Sequence, residues 1–374
     1  MSAMHTHTAI IGAGAAGLVT GRLLAERGEE FTIFDEHPRI GDAWRERYRS
    51  LRLFTAARLA SLGGMPMRLG RFEYPTGAQL ADYLEEYARE LSLPVRTGWK
   101  VTRLAREAGR FILEFAGGES ITADRVIVAA GGHRLPVVPP FAERLDPGTR
   151  QLHSNDYAGP EDLASGTVLV VGAGNAGTDI ALEAAAAGHP TILAGRHPGQ
   201  VPVDIDTWFG NLMSGFVLRR LAATTWDTPK GRAFLEEHAG HGVRLVRNKL
   251  KDLDAAGIRR VGRVVAATGG APQLEDGSIL SATTVVWCTG SLPKLDWTDI
   301  PAVFPPGRGR LAWPVLHERG VATAVPGLGF VGLPAQHSAA SLSLIGIPTD
   351  AAHVVERLME TPRAIDATAR VPAQ

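Results

Sequence analysis

Cysteine is almost absent from this 374-residue chain. Cys288 stands alone, so no intramolecular disulfide can form, and the composition fits a reducing compartment. An excess of either charge is missing as well: 39 basic residues balance 39 acidic ones, which argues against a nucleic-acid partner, since such binders carry a clustered positive excess. No apolar run approaches the ~20 residues of a membrane-spanning helix. The N-terminal stretch "MSAMHTHTAIIGAG" runs straight into an apolar strand and lacks a signal-peptide core. The twelve histidines show neither an HExxH motif nor clustered ligand spacing, so no metal is expected. These absences leave a cytoplasmic α/β protein, long enough for two or three lobes.

Glycine is what the chain has in quantity, 43 residues of it, and its placement carries the chemistry. In "HTAIIGAGAAGLVTGRLLAERGEEFTIFDE" a short apolar strand, residues 8–11, leads into Gly12, Gly14 and Gly17 in GxGxxG spacing. A helix is expected from Ala15 to Arg27, closed by Gly28, and the strand "FTIF" follows, ending on Asp35 and Glu36. Gly12 permits the tight turn, Gly14 lets backbone approach a pyrophosphate, and Gly17 allows close helix–strand packing. The phosphates then sit on free N–H groups at the helix N-terminus, and Asp35 can accept hydrogen bonds from a ribose diol.

"GTVLVVGAGNAGTDIALEAAAAGHPTILAGRHPG" repeats the pattern with Gly172, Gly174 and Gly177, and with Asn175 opening a helix to Ala187. Here the second strand ends on Arg196 and His197 instead of an acid. A carboxylate at that position suits a free 2′-hydroxyl and repels a 2′-phosphate; an arginine clamps the phosphate through charge-assisted bonds. Two nucleotide sites of opposite charge in one chain predict FAD in the first and NADPH in the second, a hydride donor paired with an acceptor.

Around these turns the chain resembles the class B flavin-dependent monooxygenases, the group of flavin-containing monooxygenases and Baeyer–Villiger enzymes. The similarity is carried by "RIGDAWRERYRSLRLFTAARLASLGG", "DRVIVAAGGHRLPVVPPF", "LHSNDY", "TVVWCTGSLP" and "PGLGFVGLPAQHSAASLSLIGIPTDAAHVVERL", and spans nearly the whole length. It implies two nested Rossmann-like dinucleotide-binding domains: an FAD domain from residues 1–157 and 291–374, with an NADPH domain, 158–290, inserted. It further implies that Trp44 and Arg45 lie by the flavin's phosphate and ring, with Thr55 nearby, and that Val101 meets the adenine through its backbone. Glu36 joins Asp35 at the FAD ribose, Arg196 and His197 read the NADPH ribose phosphate, Gly131 and Gly290 mark the crossings between domains, and Gly332 lies toward the flavin. Gln336 and His337, just beyond "GFVGLP", are the candidates for contact with flavin or substrate. The chain departs from the family's hinge motif, with Pro147 and Thr149 where phenylalanine and glycine are usual, and "Ala-Thr-Gly" reads Ala-Ala-Gly at 129–131 and Cys-Thr-Gly at 288–290.

The activity so implied is oxygen insertion, through a C4a-(hydro)peroxyflavin formed with O2, into a small molecule: a sulfur or nitrogen nucleophile, or a carbonyl. The alternatives are an NAD(P)H:acceptor oxidoreductase that inserts no oxygen, and a non-enzymatic redox sensor. A disulfide reductase is excluded because it needs a cysteine pair, and Cys288 sits in an apolar strand as a small buried hydrophobe. Residues 201–238 break the βαβ rhythm with Trp208, Phe209, Met213, Phe216 and Trp226; they are expected to pack on the neighbouring domain, to cover a substrate channel, or to meet a second copy in a homodimer. "EEHAGHG" at 236–242 is expected to be a loop after a helix, and 245–260 a solvated face.

Overall fold

The protein is described from a computed structural model that covers residues 4–238, 243–306 and 315–360. The loop expected at 239–242 therefore lies outside the described residues.

The first sheet starts as the glycine spacing requires. β1 (Met4–Ile11), α1 (Ala15–Ala25) and β2 (Phe31–Phe34) form a parallel βαβ unit with Ile10 paired to Ile33. Two short helical turns, α2 (Asp42–Arg45) and α3 (Ala57–Ala60), lead to α4 (Gly77–Glu90). Thr76 and Gln79 close a capping box that starts α4. Its buried Leu80, Tyr83, Leu84 and Tyr87 recur at helical spacing and join Leu18, Leu24 and Ile33 in one core. β3 (Val95–Arg96), β4 (Val101–Glu107), β5 (Arg110–Phe115) and β6 (Ser120–Val128) follow, with β6 parallel to β1.

The chain then leaves through β7 (Leu135–Pro136) for a second sheet. That sheet holds β8 (Arg150–His153) and β9 (Val168–Val171), then α5 (Asn175–Ala186) and β10 (Thr191–Ala194). After α6 (Trp208–Ala222), α7 (Pro229–His238) and α8 (Leu250–Ala255) come β11 (Arg259–Val261) and a hairpin of β12 (Val264–Thr268) and β13 (Ala271–Leu274). β14 (Thr284–Trp287) completes it, in the order β11-β10-β9-β14-β8, every pairing parallel. All four residues of β9, β10 and β14 are buried, as strands covered on both faces must be. Arg150–His153 is an edge strand of the second sheet, because its register, Leu152 to Val286, ties it to β14.

The return runs through β15 (Ser291–Leu292), which pairs antiparallel with β7, so both crossings between the sheets lie side by side. β16 (His317–Glu318), β17 (Val321–Ala322) and β18 (Leu328–Phe330) then extend the first sheet, β18 parallel to β6, and α9 (Ile347–Met359) packs on α1. Both ends of the chain thus build one sheet around the other. Residues 338–346 form turns, and α9 begins only at Ile347. No helix among the described residues is long and apolar enough to cross a membrane.

Candidate functional site

The two glycine turns are copies of one another. Gly12 and Gly172 adopt φ of +108° and +114°, a region closed to other residues. An added Cβ would lie 2.4 Å from Ala129 O at Gly12 and 2.2 Å from Cys288 O at Gly172. At Gly17 and Gly177 it would lie 1.8 Å from the carbonyl of Gly12 and of Gly172. Gly14 and Gly174 differ from these. They are extended N-cap residues at φ −76°, ψ −174° and φ −78°, ψ −172°, without a side-chain cap, and nothing stands within 4 Å of where a Cβ would be. Each turn therefore offers an open cradle before a helix N-terminus, the environment a pyrophosphate needs. The residues present fit a dinucleotide at both places.

At the end of β2, Asp35 folds toward the turn. Its Oδ2 accepts from Ala13 N–H at 2.6 Å, and its Oδ1 from His37 N–H at 2.9 Å and His37 Nδ1 at 2.8 Å. Burial pushes its pKa up, but the bonds from His37 and Ala13 outweigh this and hold it below the usual carboxylate value. The same bond raises His37. Asp35 thus stays ionised with lone pairs left for a hydroxyl. Glu36 is drawn away to Arg134, with Lys100 3.9 Å off. Arg45 is held by three carboxylates. Asp42, Asp82 and Glu85 surround it at 3.0, 2.8 and 3.0 Å, so its charge pins α2 to α4. Trp44 packs half-buried against the first core, Thr55 is buried behind α3, and Val101 opens β4 opposite Phe115.

In the second unit Arg196 is exposed at the end of β10 and has no partner among the described residues. His197 Nδ1 accepts from Gly199 N–H and, with Gly195 and Arg260, lines a cavity of about 50 Å³. Asn175 bonds to Arg244 O at 3.1 Å and Val246 N–H at 2.9 Å, clipping the 243–246 segment to the start of α5.

Between the sheets, Gly131, Gly290 and Gly332 take φ of +84°, +89° and +85°. His153 Nε2 lies 3.0 Å from Gly290 O, and Arg47 donates to Asn155 Oδ1 at 2.5 Å, whose amide donates to His133 O. An added Cβ on Gly332 would lie 3.3 Å from Ala16 of α1, so the C-terminal return passes directly by the first cradle. Gln336 and His337 are buried there. Gln336 Oε1 accepts from Leu333 N–H, which fixes the turn, and His337 Nε2 stands 3.4 Å from Asp227 while its buried Nδ1 has no hydrogen-bond partner among the described residues. Burial lowers the His337 pKa, with Arg319 adding to the effect.

The aromatic insertion is docked rather than loose. Trp226 N–H donates to His337 O, Trp226 Nε1 to Ala335 O at 2.7 Å, and Ala339 N–H to Thr224 O. Arg58 Nη2 holds Asn211 at 2.9 Å, and Tyr74 Oη reaches Ile205 O. Residues 224–226 therefore roof the Gln336–His337 turn. Trp208, Phe209, Leu212 and Phe216 stay exposed.

A network invisible in the sequence binds the two units: Tyr48, Asp179, Asn248 and Arg247 interact across sequence separations no local motif encodes.

The sequence pattern of the family described as pyridine nucleotide-disulphide oxidoreductase matches residues 9–276. The chain belongs to this family, on its class B flavin-monooxygenase branch. The flavin-containing monooxygenase of Stenotrophomonas maltophilia superimposes with a TM-score of 0.74 at 26% identity, over 95% of this chain and 98% of that one. The CzcO-like oxidoreductase of Geobacillus kaustophilus is 32% identical over 94% of this chain and 97% of its own length. An indole-3-pyruvate monooxygenase of Oryza sativa is 32% identical over 46% of this chain and 44% of its own. The flavin monooxygenase fold accounts for both cradles: FAD and a nicotinamide dinucleotide are the cofactors. The disulfide chemistry in the family's description has no counterpart here, because burial, aided by Asp179, pushes the thiol of Cys288 up to about 12 and no second cysteine exists.

Proposed function

We propose that this flavin monooxygenase uses NADPH and inserts one atom of O2 into a small molecule, at a soft sulfur or nitrogen nucleophile or at a carbonyl. The observation that carries the reading is the pair of congruent open glycine turns, one followed by Asp35 and the other by the unpartnered Arg196. In this reading Asp35 takes the ribose of FAD, which excludes a 2′-phosphate there, and Arg196 takes the 2′-phosphate of NADPH. The FAD domain comprises both chain ends and the NADPH domain the second sheet. When bound, flavin supplies hydride acceptance and oxygen activation, and the protein supplies position and a dry site. The roof of Thr224–Trp226 over Gln336 and His337 supports water exclusion at the flavin side. His337, neutral because burial lowers its pKa, offers its free Nδ1 to substrate or flavin.

Stopped-flow absorbance on FAD-loaded protein tests this. The enzyme is reduced anaerobically with NADPH and mixed with oxygenated buffer without substrate. A transient near-UV absorbance, distinct from both the reduced and the oxidised flavin, is the expected result. Direct return of oxidised flavin with stoichiometric H2O2 would instead make the protein an NAD(P)H:acceptor oxidoreductase.

A further inference from the structure

At the opposite end of the first sheet from the glycine turn, the pairing register builds a cluster that the sequence spacing does not reveal. His5 and His7 are two apart on β1, so both side chains leave the same face of the strand. β6 runs alongside with Thr122 opposite His5, Ala123 opposite Thr6 and Arg125 opposite Thr8, which sets Asp124 against His7. We propose that His5, His7 and Asp124 bind a divalent first-row transition cation.

The Asp124 side chain has no solvent exposure, and neither of its oxygens has a hydrogen-bond partner among the described residues. A carboxylate buried in that way is unstable unless a cation or donors compensate it. Neither group paired with it provides a hydrogen bond: His5 Nε2 is 3.4 Å from Oδ2, and Arg110 Nε is 3.9 Å from Oδ1. His5 Nε2 is itself buried without a hydrogen-bond partner among the described residues. Its other nitrogen, Nδ1, lies 2.9 Å from Thr122 Oγ1. A proton donated there leaves the Nε2 lone pair facing Asp124, the arrangement that outer-shell partners impose on metal-bound histidines.

The dimensions agree. One ligand atom from each of the three residues lies within 4.8 Å of the others. A tetrahedral ion with bonds of about 2.0–2.1 Å separates its ligands by about 3.3–3.4 Å, which the His5–Asp124 spacing already meets. His7, whose side chain is 29% exposed and whose Nδ1 is 3.6 Å from Glu30, is free to close the remainder. Two imidazoles and one carboxylate favour Zn2+ or Co2+ over Mg2+ and Ca2+, which prefer all-oxygen sites. Partial exposure of both histidines leaves a route in and a fourth position for water. The ion would brace β1 to β6, remote from the redox centre. The sequence alone does not show the cluster, because spacing within β1 says nothing of what β6 places beside it.

Equilibrium dialysis of chelator-stripped, FAD-loaded, full-length protein against Zn2+, read by elemental analysis, tests the proposal. The expected result is one Zn2+ per chain, lost in Asp124→Asn and in the half-exposed His7→Gln, with a thermal midpoint that Zn2+ raises only in the parent. Equal Zn2+ uptake by the parent and His7→Gln, or uptake far below one per chain in the parent, overturns it. Both variants are expected to keep FAD and NADPH-dependent flavin reduction, so the outcome is independent of the proposed oxygenation.

Discussion

Tyr48 Oη donates to Asp179 Oδ2 at 2.9 Å, joining the loop after α2 to the helix that follows the second glycine turn. Asp179 Oδ1 accepts from Asn248 Nδ2 at 2.6 Å, while Arg247 reaches back to the carbonyls of Arg52 and Leu53. Burial raises the Asp179 pKa above the usual carboxylate value against the pull of these donors, and burial beside Asp179 pushes the Tyr48 phenol well above its own. The two sheets are thus held together by a buried acid that depends on its donors. Tyr48→Phe removes one of them and is expected to destabilise the protein by about 1.5–3 kcal/mol, the worth of a hydrogen bond to a charged group. Chemical denaturation of Tyr48→Phe, Asp179→Asn and the double variant measures it. Strict additivity of the two single effects would show that the pair is not coupled.

The glycine turns predict a contrast. Gly14→Ala places its methyl where nothing stands within 4 Å, whereas Gly17→Ala drives its methyl to 1.8 Å from Gly12 O. Gly14→Ala is expected to fold and to purify with little FAD, because the methyl meets the approaching pyrophosphate. Gly17→Ala is expected to fail at folding. Far-UV circular dichroism and the flavin-to-protein absorbance ratio separate the two, and a Gly14→Ala protein with full flavin content would remove the first cradle from consideration.

These positions were legible because a glycine at positive φ, a close helix and an open cap each have a fixed place in a local motif. The strands were equally readable, since "TVLVV" and "TVVWC" are near-continuous apolar runs after their opening threonine, as doubly covered parallel strands are. The ion pairs of Arg45 were not legible, because its partners Asp82 and Glu85 arrive from a helix some forty residues on. The Glu36–Arg134 ion pair was hidden in the same way. The His5–His7–Asp124 cluster and the Tyr48–Asp179 contact escaped for the same reason: cross-strand and inter-sheet neighbours are set by the tertiary fold. The place of Arg150–His153 in the second sheet was not legible, because the chain reaches that sheet before its glycine turn begins.

Arg196 governs nucleotide choice if it reads a 2′-phosphate. Arg196→Gln is expected to lower kcat/KM for NADPH by about 10- to 100-fold, the range of a charge-assisted interaction, and to leave NADH within about twofold. Steady-state NAD(P)H oxidation measures both. An equal fall with the two nucleotides would mean that the arginine supports the β10 turn instead.

Cys288 should be inert. With its thiol pushed up to about 12, almost no thiolate exists at pH 8, and the thiolate is the reactive form. Iodoacetamide at pH 8 is expected to leave the native protein unlabelled over a period in which the denatured chain reacts fully, as read by intact mass. Cys288→Ser is expected to retain flavin reduction by NADPH. Loss of that reduction in a folded variant would reopen a redox role for the sulfur.

Asp350, in the first turn of α9, gives the pH dependence its sign. Burial pushes its pKa to about 6 from an ordinary 3.8, against the opposing hydrogen bond from Ser341 and the charge of Arg319, and its Oδ2 has no partner among the described residues. The folded state therefore holds the proton more tightly than the unfolded chain. That preference stabilises the fold below about pH 4 and is lost as pH rises through about 6. Asparagine keeps the site neutral at every pH. Asp350→Asn is expected to exceed the parent in stability at pH 8 by up to about 3 kcal/mol, the free-energy equivalent of the raised pKa. The gain should shrink steadily toward pH 4.5. Urea denaturation at pH 8, 6 and 4.5 reads the gap directly. A gap that stays constant across that range would mean the carboxyl is not titrating between those limits, and that the stability of α9 against α1 has another origin.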